Sequence, residues 1–259
     1  MQGVAALFAS IPVGGIFFGT LLLVLVAVEI GHRWARKRQQ ARDTEKEGPV
    51  GAMVGATLGL LAFLLAFTFG VVADAFHARR VALTEEVSAI HVCHELAAAL
   101  PPADRDEIRA VLRRYVDERL KWSAGEVSDT GVGAWRELDR LWVRTAAVAA
   151  QHPGDVDVLL DSVGRITTLH RERTMVREQS RVPVGFWAVL YVVALLSMGA
   201  VGYHGGVAGS SRSPMALVVA IAFSAVMMVI ADVDRPGDGI INVSQAPMLE
   251  LRALLAESG

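Results

Sequence analysis

A chain of 259 residues carrying 25 Lys and Arg against 27 Asp and Glu has no basic excess for a polyanion, so nucleic acid is excluded as a partner. Hydrophobic residues make up 53% and charged residues 20%, and the two classes are segregated along the chain rather than mixed as in a soluble globule. The single Cys93 excludes an intrachain disulfide and leaves the redox compartment open.

The first apolar run extends from Val13 to Ile30. At 1.5 Å per helical residue, it and three later runs cross or nearly cross a hydrocarbon core of about 30 Å. No Lys or Arg precedes it, whereas Arg33, Arg36, Lys37 and Arg38 follow. That is the reverse of a signal peptide, so the run reads as a retained span, and neither end carries a lipidation signal. Glu29, in its last turn, is expected to snorkel toward Arg33. Arg42 and Lys46 complete a basic loop of residues 31–48. Such loops resist translocation, so this one is expected in the cytoplasm of an inner-membrane, multi-pass protein, with both termini and the middle domain on the outer face.

In the second run, Val50 to Ala73, the residues Gly51, Gly55, Gly59, Ala62, Ala66, Gly70 and Ala73 recur every three or four positions. One helical face is therefore nearly free of side chains, a seam along which another backbone can approach. It serves either packing within one protomer or a subunit or pore-facing contact. Beyond Ala73 the pattern turns amphipathic through Phe76, Val81, Val87, Ile90 and Leu96 without a helix breaker, so one helix continues to Leu100, where Pro101 and Pro102 end it. Asp104 is expected to open a helix burying Ile108, Val111, Leu112, Tyr115, Val116 and Leu120.

Gly125 to Gly133 reads as a loop, followed by a third helix with Trp135, Leu138, Leu141, Trp142, Thr145 and Val148 on one face, stopped by His152, Pro153 and Gly154. A fourth, capped by Asp155, runs through Leu159, Leu160, Val163, Ile166, Leu169 and Val176. Between Asp74 and Pro183 stand 16 basic and 18 acidic residues, a balance that suits a solvated bundle. Four helices returning the chain to the membrane form an up-down bundle. The remaining spans are 184–206 and 215–231; Pro12, Pro183 and Pro214 mark span starts, and Trp34, Trp187, Tyr191 and Tyr203 lie near span ends. Gly202, Gly205, Gly206 and Gly209 read as turn chemistry, lacking the preceding strand of a dinucleotide site. From Ser244 a short amphipathic helix follows, suited to the membrane surface or the bundle base.

The expected fold class is an all-α membrane protein: four transmembrane helices in two hairpins, with an extramembrane antiparallel helical bundle between them. The divisions are 1–73, 74–183, 184–231 and a tail, 232–259.

The stretches GATLGLLAFLLAFTFGVVADAFHARRVALTEEVSAI (55–90), LPPADRDEIRAVLRRYVDERL (100–120) and IADVDRPGDGIINVSQAPMLEL (230–251) resemble bacterial membrane proteins with a bestrophin-like domain. The resemblance covers most of the chain after residue 50, and the DVDRP and VSQAP pieces are its most specific marks. Bestrophins proper are pentameric anion channels, so the resemblance implies an oligomeric pore. They keep their termini and the region between hairpins in the cytosol, opposite to what the basic loop predicts here.

The second and fourth spans run in the same direction, so Asp74, His77, Arg79 and Arg80 should lie at the depth of Asp232, Asp234 and Arg235. This collar serves as an ion vestibule or as structural ion pairs docking the hairpins. His91, Cys93, His94 and Glu95 have metal-like composition, but a site would need a third ligand from another helix. There is no GxSxG, P-loop or HExxH pattern, so no enzyme activity and no cofactor are expected. Two roles follow: an oligomeric ion channel or pore in the lipid bilayer, or a non-transporting sensor or scaffold acting through its bundle and a protein partner.

Overall fold

The computed structural model of the chain describes residues 12–41, 47–124, 132–151, 156–179, 182–209, 214–235 and 239–257. Arg42, Lys46, the loop residues 125–131, the stop at His152 to Gly154 and the Asp155 cap lie outside the described residues. The described chain is helical: α1 (Val13–Gln40), α2 (Glu47–Leu96), a 3-10 turn (Ala97–Ala99), α3 (Pro102–Ser123), α4 (Val132–Gln151), α5 (Asp157–Gln179), α6 (Val184–Val207), α7 (Pro214–Val233) and α8 (Ala246–Glu257). Helices α1, α2, α6 and α7 are long and apolar enough to cross a membrane, and they flank a helical extramembrane region as the sequence predicts. The chain divides into two compact units, Met1–Asp74 with Arg181–Ile241 and Ala75–Ser180 with Asn242–Gly259.

Within the first unit, α1 packs along α6 and α7. Its helix outlasts the apolar run by ten residues, to Gln40, because hydropathy marks where lipid ends and not where a helix must stop. The sequence reading of Gly202, Gly205 and Gly206 as turn residues is corrected here: all three are helical, inside α6. A Cβ on Gly202 would strike the carbonyl of Val28, and one on Gly206 would lie 2.9 Å from the carbonyl oxygen of His32. Gly31 meets the backbone of Gly199 in the same way. The glycines let two backbones touch, which is how helices associate where lipid offers no hydrophobic gain. Gly209, at φ +63°, does make the turn. Across this contact Thr20 and Tyr191 hydroxyls hydrogen bond at 2.8 Å, Gln39 Nε2 donates to the Val207 carbonyl at 2.8 Å, and the rings of Trp34 and Tyr203 lie 5.5 Å apart. Pro12 and Pro183 precede α1 and α6, and Pro214 opens α7.

In the second unit, Leu83, Ile90 and Cys93 of α2 pack in one core with Ile108, Leu112 and Tyr115 of α3, Leu138 and Leu141 of α4, and Val163 and Ile166 of α5. Extended Leu100 precedes Pro101, as sterics before proline require, and α3 begins at Pro102, two residues earlier than Asp104. Ser244 Oγ accepts from the backbone N–H of Ala246 at 3.3 Å to open α8, and its Met248, Leu251 and Leu255 join the core. Arg252 Nε fastens the outer face of α8 to Asp117 at 2.7 Å. The C-terminal helix is thus part of this unit.

Candidate functional site

The membrane segment of α2 has two unlike faces. Leu61, Leu65, Thr68 and Val72 are buried, while Gly55, Gly59, Ala62, Ala66 and Gly70, on the opposite side, are exposed. A Cβ on Gly55, Gly59 or Gly70 would touch nothing within 4 Å, whereas one on Gly51 would lie 2.9 Å from His204 Nε2. Packing within one protomer therefore accounts for the Gly51 end only, and the rest of the seam is surface on a single chain.

The acidic residues at the end of α7 are engaged by backbone. Asp232, 2% exposed, accepts the N–H of Ile240 on one carboxylate oxygen and that of Ile241 on the other, both at 2.8 Å. Gly239 fits against this carboxylate: a Cβ there would stand 2.5 Å from Oδ1. Asp234 Oδ1 accepts the N–H of Val182 at 2.8 Å, tying the start of α6 to the end of α7. Both carboxylates satisfy main-chain donors, a structural use that ion pairing did not anticipate. On α2, Asp74 and Arg80 are exposed and Arg79 is half-buried, as is Arg235 beyond α7. Glu29 receives Arg33 Nε at 2.7 Å, the snorkelling pair expected one turn apart.

A third assembly lies in the bundle and has no motif in the sequence. Glu86 of α2 is fully buried among Tyr115 and Arg119 of α3 and His170 and Arg173 of α5. The Arg119 guanidinium meets both carboxylate oxygens side-on, at 3.1 Å each. Arg173 and the Tyr115 hydroxyl also donate to Glu86, and the same phenol oxygen lies 3.0 Å from His170 Nδ1. Trp122 stacks on Arg119, with the guanidinium carbon 4.6 Å from its ring centroid, and Trp135 meets His170 edge-on at 4.6 Å. Burial works to raise the Glu86 carboxyl, but the Arg119 and Arg173 charges prevail and hold it well below the usual carboxylate range. Burial lowers His170, so its imidazole is neutral near pH 7. Sequence reasoning missed the cluster because Glu86, Arg119 and Arg173 look like ordinary solvated charges. The available signal was helical phase: Glu86 falls between Leu83 and Ile90 on the core face.

Of the four residues with metal-like composition, Cys93 is buried in the core with its thiol pushed up to about 11 by burial, and His94 is buried with Nδ1 3.4 Å from Glu95. Among the described residues no group of three His, Cys, Asp or Glu side chains is placed to hold a metal ion.

Compared with known families, residues 14–248 match the Bestrophin-like domain. The chain belongs to the Bestrophin-like family. Its fold is also that of solved relatives. A crystal structure of a point variant of a bacterial Bestrophin homolog from Klebsiella pneumoniae superposes with TM-score 0.64 at 11% identity, covering 95% of this chain and 98% of that one. The Zn-SAD structure of a Bestrophin homolog from the same organism gives 0.61 at 12%, covering 93% and 96%. A variant described only as a membrane protein gives 0.60 at 13%, covering 93% and 96%. No curated protein sequence matches. This Bestrophin-like protein carries four helices long and apolar enough to cross a membrane, as a multi-pass membrane protein does.

Proposed function

We propose that this Bestrophin-like protein is an oligomeric ion channel or pore, with the small-residue face of α2 at the subunit interface or beside the conducting path. The observation that carries the proposal is the exposure of Gly55, Gly59, Ala62, Ala66 and Gly70 on one chain, opposite the face of α2 that the chain itself buries. A side-chain-free strip that one protomer leaves unused suits a close helix contact between copies. Asp74 and Arg80 are exposed on α2, so they are the predicted collar residues that a vestibule would use, while Asp232 and Asp234 are engaged by backbone at the end of α7.

Reconstitution into planar bilayers, with the mass measured in nanodiscs, tests the proposal. A ring-sized oligomer passing selective current, changed by Arg80→Ala or Asp74→Asn, supports it; a silent monomer or dimer overturns it.

The basic first loop favours a cytoplasmic loop and an outer bundle, the reverse of bestrophins. A cysteine introduced at Gln40 that reacts with an impermeant reagent in intact cells would refute that orientation.

One observation favours the sensor reading. A cleft of about 410 Å³ in the second unit lies between α2 and α5, with Glu85, Asp161 and Arg165 on its walls. Among the described residues these three make no ion pair, so the cleft could take a small charged ligand, with output through a protein partner. Crosslinking that recovers no partner would count against it.

A further inference from the structure

A second cleft, of about 480 Å³, lies in the first unit among α1, α2, α6 and α7. Leu25, Leu58, Val201 and Leu217 form its walls, and Glu29, His32 and His204 stand at one end. Leu25 is seven residues inside His32 on α1, so the apolar part reaches roughly 10 Å into the span from its polar end. At that depth water does not fill the space, because a buried water needs two or more polar partners and the walls offer none. The surrounding solvent is hydrocarbon, and a chain of methylenes matches the lining.

The polar end has its own chemistry. Leu25, Glu29, His32 and Arg36 follow one another at helical spacing along a single face of α1. Glu29 is neutralised by Arg33 at 2.7 Å. Arg36 is exposed and makes no ion pair with another described residue, and the side chains of His32 and His204 make no hydrogen bond to one. His32 and His204 line the polar end of the cleft and Arg36 stands one turn beyond His32 on the same face of α1, an arrangement complementary to a phosphate attached to a fatty chain.

We propose that this cleft binds one acyl chain of an anionic phospholipid, whose phosphate lies among His32, Arg36 and His204. The site is independent of whether the protein conducts ions.

Two substitutions separate the parts of the site. A Cβ on Gly205 meets nothing within 4 Å, so Gly205→Leu fills the cleft without striking backbone. Arg36→Ser removes the cation and leaves the cleft open. The full-length protein is taken from nanodiscs of mixed phosphatidylglycerol and phosphatidylcholine, and the lipids retained are counted by native mass spectrometry. Wild type is expected to keep about one phosphatidylglycerol per protomer, preferred about fivefold for each cationic contact. Gly205→Leu is expected to lose the retained lipid, and Arg36→Ser to keep a lipid without the preference. Equal retention by wild type and Gly205→Leu overturns the acyl-chain site, as does a wild type that retains no lipid. If Gly205→Leu fails to fold by circular dichroism, Arg36→Ser decides, and an unchanged preference refutes the phosphate contact. Inorganic phosphate should neither displace the lipid nor raise the melting temperature. If it does both, the site is one for a free anion.

Discussion

Replacing Glu86 by alanine should damage the bundle more than any surface change. Its carboxylate is the one acidic group among the described residues of the cluster, set against Arg119, which is 1% exposed, and Arg173, which is 12% exposed. Removal leaves the Arg119 charge buried without compensation, strips the Tyr115 hydroxyl of its acceptor and opens a void between three helices. Breaking a buried pair from one side costs about 3–5 kcal/mol. At a few degrees per kcal/mol for a unit of this size, the melting temperature should fall by on the order of 10–20 °C. Thermal unfolding of the full chain in nanodiscs, followed by tryptophan fluorescence, is well suited because Trp122 and Trp135 touch the cluster. The double variant Glu86→Met with Arg119→Met should recover part of the loss, since it removes the most buried pair together and leaves Arg173, 12% exposed, to turn toward water. Wild-type melting for Glu86→Ala would refute the reasoning, and so would a double variant that melts lower than the single one.

Acid should weaken the same unit with a defined sign. His170 is held below its ordinary value of 6.5 by burial, so the unfolded chain takes up its proton first. Stability is full above that pH and declines as pH falls toward the folded value, while the lowered Glu86 adds loss only below about 4.5, its ordinary value. His170→Phe should flatten the melting profile below about pH 6.5 without abolishing its slope, because buried His94 shares the direction; an unchanged profile refutes the assignment. Gly202→Leu should collide with the Val28 backbone and prevent the α1–α6 contact, read as loss of monodisperse protein on size exclusion. Asp232→Ala should cost about 1–3 kcal/mol per orphaned N–H, of Ile240 and Ile241, and should speed proteolysis at residues 239–241. Gly59→Leu should leave the monomer fold intact, since its Cβ points into open space, and yet abolish the oligomer; normal assembly would remove the seam from the interface.

Helix spans and their order were readable along the chain because hydropathy and the 3.6-residue period are local properties of sequence. Hence the continuity of α2 through Asp74, the proline-set starts at Pro12, Pro183 and Pro214, and the core face of α3 all follow from neighbouring residues. Partner choice is not local. The small residues of α2 and those of α1 and α6 have the same composition, yet among the described residues Gly31, Gly199, Gly202 and Gly206 join α1 to α6, while of the α2 glycines Gly51 meets His204 and Gly55, Gly59 and Gly70 meet nothing.

The same limit applies to charge. Sequence by itself determined that Glu86, Arg119, Arg173, Asp232 and Asp234 are ionisable and near helix faces or span ends. Only the tertiary structure decided that Glu86 draws Arg119 and Arg173 to one buried carboxylate, that Asp234 holds the N–H of Val182 and that Asp232 holds those of the loop after α7. The physical reason is desolvation: a charge removed from water must find its partner in space, and residues distant in sequence reach one point only when several helices have packed.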